Sequence, residues 1–212
     1  MTLAGDVYPQ EAADTVMTLM LLLARQVGEG GDAGISWSLA GKCLGLVGLD
    51  SVGQLVARRA SMGFGMRVMI HTETVVDRPI AAKVGVEWTP SIDHVLRTSD
   101  VVSLHGRPGD RARTITAERL NQMECDALLI NGSHGELMDE TAVVHALWFE
   151  TIGGVGLSAP TRTLSRLRDF EASDKATILD HPVKKAITEV RHPALSMPDN
   201  VVDFSMAACR RA

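Results

Sequence analysis

The stretch Cys43-Leu44-Gly45-Leu46-Val47-Gly48-Leu49-Asp50-Ser51-Val52-Gly53 decides the fold. It begins as a short apolar run, passes through a turn between Gly48 and Gly53, and continues into a helical pattern over 51–62. A strand that enters a tight glycine turn and then a helix is the context in which a dinucleotide fingerprint is meaningful, because the helix N-terminus offers free N–H groups to a phosphate. We therefore expect a parallel α/β unit with a candidate nucleotide site at this turn.

The same alternation of apolar runs and helical patterns continues along the chain. Strands that are apolar on both faces and alternate with helices indicate a parallel sheet covered on both sides. Right-handed crossovers then give a doubly wound, Rossmann-like α/β fold. The predicted strands are 43–48, 66–71, 100–105, 127–131 and 153–157, and the predicted helices are 51–62, 91–98, 116–123 and 139–148. We expect one domain over 1–160 and an irregular C-terminal tail over 161–212, which has no strand pattern.

A long helix is predicted over 10–29, before the first strand. Apolar residues recur at three- and four-residue steps, while Leu21 and Leu22 lie on the other side, so the apolar stripe is unusually wide. A helix of this kind is buried on more than one side, either in the core or between two subunits. Its most apolar run, 16–24, is too short to span a bilayer, which takes about 20 apolar residues.

Composition excludes several classes of function. The chain has 212 residues with 21 Lys plus Arg and 26 Asp plus Glu, a formal charge of −5, so we expect no nucleic-acid partner. Cys43, Cys125 and Cys209 are widely spaced and form no metal-binding motif, so we expect no metal. No signal peptide or membrane segment is evident, and we expect a cytoplasmic protein with no membrane partner.

Asp50 departs from the dinucleotide fingerprint. The first glycine of that motif makes the turn, the second admits the pyrophosphate, and the third lets helix and strand pack. Asp50 replaces the second glycine, so weak binding of NAD or NADP and no nucleotide binding at all both remain open. Glu73 is either a ribose ligand or a solvated loop residue. If a nucleotide binds, the expected contacts are Gly48, Asp50, Ser51, Val52, Gly53, His71, Thr72, Glu73, Asn131, Gly132 and Ser133.

Several motifs in order resemble the NAD-binding domain of the D-isomer-specific 2-hydroxyacid dehydrogenases. The segments are 39–48, 63–68, Ser99-Asp100-Val101-Val102-Ser103-Leu104-His105, Ala127-Leu128-Leu129-Ile130-Asn131-Gly132-Ser133-His134-Gly135 and Asp139-Glu140-Thr141-Ala142. Residues 10–27 resemble the long helix that precedes this domain in the family. The resemblance covers about 7–160, and more weakly 192–202, and it implies an NAD-dependent oxidoreductase ancestry.

The resemblance fails at the positions that carry the family's chemistry. His134 replaces the arginine that holds the substrate carboxylate, Thr163 replaces a glutamate, and Met206 replaces the acid–base histidine. Ser158 replaces an aspartate that meets the nicotinamide, and we expect no counterpart of the family's separate substrate domain. Hydride transfer to a 2-keto acid needs a cation and a proton donor, so we do not expect the family's reaction from this chain alone.

Three histidines fall at the carboxyl ends of predicted strands, where ligands bind in this architecture. His71, His105 and His134 either line an unused groove or provide a new acid–base site built on His105 and His134. His94 and His145 lie on predicted helices and are expected at the surface. His181 and His192 precede prolines in the tail and are expected in turns.

Three classes of function remain open. The first is a non-catalytic homologue that binds a small molecule or a protein partner. The second is an active NAD(P)-dependent oxidoreductase, and the third is a lyase or cyclase using His105 and His134. The resembling family includes the C-terminal binding protein corepressors, in which this domain dimerises. We expect a homodimer through 10–29, because Val16, Met17, Met20, Leu21 and Leu23 would otherwise be partly exposed.

Overall fold

The structure is a computed structural model that describes residues 4–25, 38–72, 86–106, 114–133, 135–158 and 166–179. Its strands are β1 (Cys43–Val47), β2 (Arg67–His71), β3 (Val86–Trp88), β4 (Val101–Leu104), β5 (Leu128–Asn131), β6 (Gly154–Ser158) and β7 (Ala176–Leu179). Its α-helices are α1 (Ala4–Arg25), α2 (Ser51–Phe64), α3 (Ile92–Thr98), α4 (Ala117–Leu120), α5 (Glu140–Trp148) and α6 (Leu167–Glu171), with a 3₁₀ turn at Gly135–Leu137.

The seven strands form one parallel sheet in the order β3-β2-β1-β4-β5-β6-β7. The order reverses between β1 and β4, which are hydrogen-bonded neighbours although two strands separate them in the chain. In doubly wound sheets, ligands bind outside the carboxyl ends of the strands at this reversal. The predicted doubly wound α/β fold is confirmed, and the turn after β1 lies where a ligand crevice is expected.

Helices cover both faces of the sheet, and the strands alternate their side chains between two apolar clusters. On β5, Leu128 and Ile130 pack in the cluster that includes α1 and α2. Leu129, between them, packs in the cluster that includes α3, α4 and α5. This alternation follows from the two-residue period of a strand and explains why the strands are apolar throughout.

Helix α1 packs inside the chain, which corrects the expectation of an exposed apolar stripe. Val16, Met17, Met20 and Leu23 are buried, and Leu21 alone among the five predicted residues is exposed, at 36%. α1 contacts α2 and the sheet at β5, β6 and β7. The glycines of β6 make this possible: a Cβ on Gly156 would lie 3.1 Å from Cβ of Leu19 and 3.2 Å from Cδ1 of Leu23.

The ends of α1 also differ from the prediction. The helix begins at Ala4 rather than at 10, and Pro9 lies inside it. Pro9 lies in the second turn, where a proline removes one backbone hydrogen bond and crowds the preceding turn, and the helix continues through it. The described helix ends at Arg25, and the predicted continuation over 26–29 lies outside the described residues.

Two strands at the edges of the sheet were not predicted from the sequence. β3 has three residues, including the exposed Glu87 and Trp88, so it lacks the apolar run that marks the central strands. The first part of the predicted irregular tail contains α6 and β7, and β7 pairs with β6 from Ala176 to Leu179. The tail is therefore regular over this part, and the expectation that it contains no strand is wrong there. The residues beyond 179 lie outside the description.

Candidate functional site

The predicted site residues that the structure describes lie along one edge of the sheet. Gly48 follows β1, His71 ends β2, His105 follows β4 and Asn131 ends β5. Because all strands are parallel, their carboxyl ends meet at the same edge. Main-chain hydrogen bonds join these ends, from Gly48 N to His71 O at 2.8 Å and from His105 N to Val47 O at 2.8 Å.

Gly48 occupies a position that only glycine fits. Its φ is +92°, and a Cβ there would lie 1.5 Å from the carbonyl oxygen of His105. Gly53 packs against the same histidine, because its Cβ would lie 3.1 Å from Cγ of the His105 ring. The first and third glycines of the predicted motif therefore make the turn and the close packing that the fingerprint assigns to them.

Asp50, at the position of the second glycine, caps helix α2. Its backbone is extended, with φ −79° and ψ −175°, and its Oδ1 accepts a hydrogen bond from Gly53 N at 2.7 Å. This is the ordinary geometry of an N-cap, and a carboxylate is favoured there by the partial positive charge of the helix end. The N-terminus at which a phosphate would be expected is therefore already in contact with an anion of the chain itself.

His105 lies directly behind this carboxylate. Its Nδ1 is 3.6 Å from Asp50 Oδ1, and its Nε2 is 3.0 Å from Ser103 Oγ. The distance to Asp50 makes this an electrostatic contact rather than a hydrogen bond, and Nδ1 has no hydrogen-bond partner among the described residues. The two ring nitrogens of His105 thus face different groups, Nε2 the hydroxyl of Ser103 and Nδ1 the carboxylate of Asp50.

The surroundings keep Asp50 ionised. Burial alone would raise the pKa of its carboxyl group, but the His105 ring and the N–H groups of Gly53 and Val52 outweigh burial and hold the pKa below its ordinary value. An opposite charge, or a hydrogen bond to the ionised form, always acts in this direction. At neutral pH the turn therefore carries a negative charge.

Two of the three candidate histidines have different partners. His71 Nδ1 lies 3.3 Å from the carbonyl oxygen of Thr89 after β3, whereas His105 contacts Asp50 and Ser103. His105 is 2% exposed, so its ring is closed to a substrate in this structure. His134 lies outside the described residues, and the acid–base pair of His105 with His134 stays a prediction.

The end of β5 is tied to the end of β4. Asn131 is buried, and its Oδ1 accepts a hydrogen bond from Ser133 N at 3.0 Å. Ser133 Oγ in turn donates to the carbonyl oxygen of Gly106 at 2.5 Å. These residues, with Gly132 between them, were predicted as cofactor contacts, and in the structure they hold two loops of the crevice together.

The structure describes some of the remaining residues that the sequence analysis singled out, and others lie outside the described residues. Thr72 is half-buried after β2, Ser51 is exposed at the start of α2, and Val52 is buried there. Ser158 is buried at the end of β6, and His94 and His145 are exposed, as predicted. Glu73, Thr163, His181, His192 and Met206 lie outside the described residues.

Sequence reasoning missed Ser103 and Thr89, the partners of the two histidines. Ser103 precedes His105 by two positions, and side chains two apart on a strand point to the same face, so this contact was open to prediction. Thr89 follows the unpredicted β3, and no pattern marked it. Among the described residues, no group of three His, Cys, Asp or Glu side chains is placed to hold a metal ion, and no helix is long and apolar enough to cross a membrane.

The sequence is similar to those of known dehydrogenases. A family profile described as "D-isomer specific 2-hydroxyacid dehydrogenase, NAD binding domain" matches residues 17–172. A glyoxylate reductase from Thermococcus kodakarensis is 35% identical over 171 residues, which cover 72% of this chain and 50% of the relative. A glyoxylate reductase from Korarchaeum cryptofilum is 29% identical over 206 residues, covering 87% of this chain and 61% of the relative.

The fold is also similar to that of solved structures. A D-lactate dehydrogenase with NAD+ from Lactobacillus jensenii matches with a TM-score of 0.73 at 23% identity, over 82% of this chain and 59% of that one. At this identity the likeness supports the fold. The chain spans less than two thirds of the length of each of these three proteins.

Proposed function

The chain belongs to the D-isomer specific 2-hydroxyacid dehydrogenase family, with which it shares the NAD-binding domain, and we propose that it is a binding or accessory member that does not carry out the family's hydride transfer. The observation that carries this proposal is Asp50. Its carboxylate holds the N-terminus of α2 through Gly53 N, at the place where the fingerprint requires a glycine.

The glycine turn does not fit the pyrophosphate of NAD. A diphosphate there would meet the Asp50 carboxylate, and two unit charges about 4 Å apart interact by about 4 kcal/mol at an effective dielectric of about 20. Solvent reduces this repulsion, but about 1.4 kcal/mol already costs a factor of ten in affinity. Moving the carboxylate aside would also remove the cap of α2 and the negative partner of His105.

The substitutions at the reacting positions support the same conclusion. A histidine at 134 is a weak replacement for a guanidinium that holds a carboxylate with two hydrogen bonds. Met206 has no proton to give to a forming alkoxide, and Thr163 cannot act as the glutamate that orients a histidine. We infer that this chain alone lacks both the cation and the acid that reduction of a 2-keto acid requires.

The decisive experiment is a calorimetric titration of NADH into the wild type and into Asp50→Gly. We expect weak or undetectable binding to the wild type and binding at least tenfold tighter in the variant. Ser51→Gly is the matched control, because it adds a glycine to the same turn and leaves the carboxylate in place. Tight binding of NADH to the wild type would overturn the proposal. An equal increase in NADH affinity in Asp50→Gly and Ser51→Gly would also overturn it.

The names of the relatives favour a second candidate function. Both proteins described above as sequence relatives are glyoxylate reductases, and one is 35% identical to this chain. An active NAD(P)-dependent reductase of a small keto acid, with missing groups supplied by another chain, would agree with that likeness. Steady-state turnover of glyoxylate with NADH and NADPH separates this candidate from the first.

A further inference from the structure

Two adjacent aromatic side chains lie at the surface where α5 ends. Trp148 is 65% exposed and Phe149 is 78% exposed. Among the described residues, they are the only two large apolar side chains that are both exposed and adjacent in the chain. The ring of His145, one turn earlier, packs edge-on against Phe149 with 6.4 Å between the ring centroids. Aromatic residues are enriched in protein–protein interfaces, so an exposed pair of this kind indicates a binding surface.

The backbone that follows the pair has an unusual conformation. Glu150 has a φ of +55°, in the left-handed region where glycine is the usual residue. Hydrogen bonds close the turn, from Glu150 N to Leu147 O at 3.2 Å and from Thr151 N to Ala146 O at 2.8 Å. This is the Schellman motif that ends many helices, with Glu150 at the position that glycine normally occupies. A charged residue therefore stands where glycine would cause less strain, and such strain is concentrated at binding and active sites.

The loops around the pair carry an excess of negative charge. The segments 124–126, 149–153 and 171–175 lead into β5, β6 and β7, which are adjacent parallel strands, so the three segments meet at one edge of the sheet. Main-chain hydrogen bonds of 2.9 Å join them, from Gly153 N to Ala127 O and from Val155 N to Lys175 O. Five exposed carboxylates and one ammonium leave these segments with a net charge of −4; the carboxylates are those of Glu124, Asp126, Glu150, Glu171 and Asp174.

The neighbouring cations do not cancel this charge. Lys175 Nζ donates to Glu150 Oε1 at 2.8 Å, and this hydrogen bond holds the pKa of the Glu150 carboxyl below its ordinary value, so Glu150 is ionised at neutral pH. At the border towards β4, Lys42 is paired with Asp100 at 2.7 Å, and Arg97 of α3 adds one positive charge. The C-terminal end of α5 contributes a partial negative charge of its own.

We propose that Trp148, Phe149 and the carboxylates of 124–126, 150 and 171–174 form a docking surface for an arginine-rich segment of a partner protein. A guanidinium stacks on aromatic faces and pairs with carboxylates, so it complements both features of this surface. The surface lies at the amino ends of the strands, whereas Gly48 and Asp50 follow a carboxyl end. The proposal therefore goes beyond the proposed function and holds whether or not a nucleotide binds at the glycine turn.

The experiment titrates a fluorescein-labelled octa-arginine peptide into the full 212-residue chain at about 0.15 M salt and follows fluorescence anisotropy. We expect octa-arginine to bind at least threefold more tightly than octalysine, because ammonium groups are more strongly hydrated and do not stack. Octaglutamate should not bind. The double variant Trp148→Ala/Phe149→Ala should bind octa-arginine at least about fivefold more weakly and melt at the wild-type temperature, because both side chains are exposed.

The matched control for the aromatic pair is Trp88→Ala. Trp88 is 50% exposed and follows the exposed Glu87 on β3, at the opposite side edge of the sheet, so it resembles the surface locally but lies outside it. Its replacement should change octa-arginine affinity by less than about twofold. Equal losses in Trp88→Ala and in the double variant would show that the peptide reads net charge or exposed tryptophan in general, and would refute the proposal.

Glu150→Gly provides a second variant that is expected to fold at least as well as the wild type. Glycine relieves the strain at a φ of +55°, so the melting temperature should be unchanged or raised, while octa-arginine should bind at least about twofold more weakly. Glu87→Gln, which removes a carboxylate outside the surface, is its control and should leave the affinity unchanged. Improved stability together with weaker binding is a result that a purely structural role of Glu150 would not produce.

Three further results would contradict the proposal. The first is failure of octa-arginine to bind the wild type, and the second is equal affinity for octa-arginine and octalysine. The third is a fall in molar mass of Trp148→Ala/Phe149→Ala relative to the wild type in light scattering, because a second copy of the chain would then be the occupant of this surface.

Discussion

Asp50 Oδ1 lies 3.6 Å from Nδ1 of the buried His105, and this contact joins the turn after β1 to the end of β4. The same oxygen accepts the hydrogen bond that caps α2. A carboxylate replacing a glycine is tolerated here because the helix end and the imidazole compensate for its partial burial. In the function proposed above, the carboxylate that caps α2 is also the group that opposes a phosphate at this turn.

The pH dependence of stability should report the Asp50 charge. The native pKa of this carboxyl is lowered from an ordinary value of 3.8, so its stabilising contribution is complete above 3.8 and is lost as the pH falls through the lower native pKa. We expect Asp50→Ala to reduce the free energy of unfolding by about 1 kcal/mol at neutral pH, from loss of the cap and the charge.

Urea denaturation from neutral pH to below 3.8 tests this expectation, with Asp50→Asn as the control that keeps the cap. The difference between wild type and Asp50→Asn should be constant at higher pH and shrink at the acid end. A difference that grows as the pH falls would contradict an ionised Asp50 in the native state.

His105 should matter for stability far more than an exposed histidine. His105→Ala leaves a cavity and removes the partner of Ser103 Oγ, so we expect it to lower the free energy of unfolding by about 2–4 kcal/mol. The matched control is His94→Ala on α3, whose exposed side chain should contribute within about 0.5 kcal/mol. Equal small effects in chemical denaturation would show that His105 is not packed as described.

A pair of glycine substitutions tests the turn itself. Gly48→Ala places a Cβ 1.5 Å from the His105 carbonyl oxygen at a φ of +92°, so we expect a loss of at least about 3 kcal/mol or failure to fold. Gly63→Ala in α2 places its Cβ in open space and should stabilise the protein by about 0.5–1 kcal/mol. Thermal melting of both variants provides the measurement, and an unchanged midpoint for Gly48→Ala would contradict the turn geometry.

The sequence predicted the central strands and the glycine turn because their signals are local. β1 and β4 are continuous apolar runs, and the turn is marked by Gly48 and Gly53 at fixed spacing. β3 gives a weaker signal, because it has three residues and two of them are exposed. β7 has four residues that are only partly buried, and both strands lie at a sheet edge, where each pairs with one neighbour.

The sequence predicted which residues follow the carboxyl ends of β1, β2, β4 and β5, but not the contacts between them. Replacement of a glycine by Asp50 was visible in the sequence, and so was the resulting charge. The contact with His105 depends on the order of β1 and β4 in the sheet, which places residues distant in the chain side by side. Burial of Leu23 against the glycines of β6, and of Val16 against Gly132 after β5, was missed for the same reason. These small residues make room for a helix that lies far away in the sequence.

The homodimer through α1 stays a prediction, and Leu21 is the one exposed residue of the five apolar residues on which that prediction was based. If α1 forms a two-fold interface, Leu21→Asp should convert a dimer to a monomer in light scattering without lowering the melting temperature by more than about 4 °C. The small effect on folding is expected because Leu21 is already 36% exposed. A single-chain mass for the wild type at micromolar concentration would contradict the dimer.

Reduction of a 2-keto acid should be absent even when nucleotide binding is restored. Asp50→Gly removes the charge that opposes a pyrophosphate, and adding His134→Arg supplies the cation that a substrate carboxylate needs. Met206 still offers no proton to the alkoxide, so we expect no loss of NADH absorbance with glyoxylate or pyruvate above background in the wild type, in Asp50→Gly or in the double variant. Calorimetry on the same preparations shows whether NADH is bound, which separates a failure of binding from a failure of chemistry. Turnover by the wild type that is abolished by His134→Ala would refute the proposed loss of activity and support the reductase alternative.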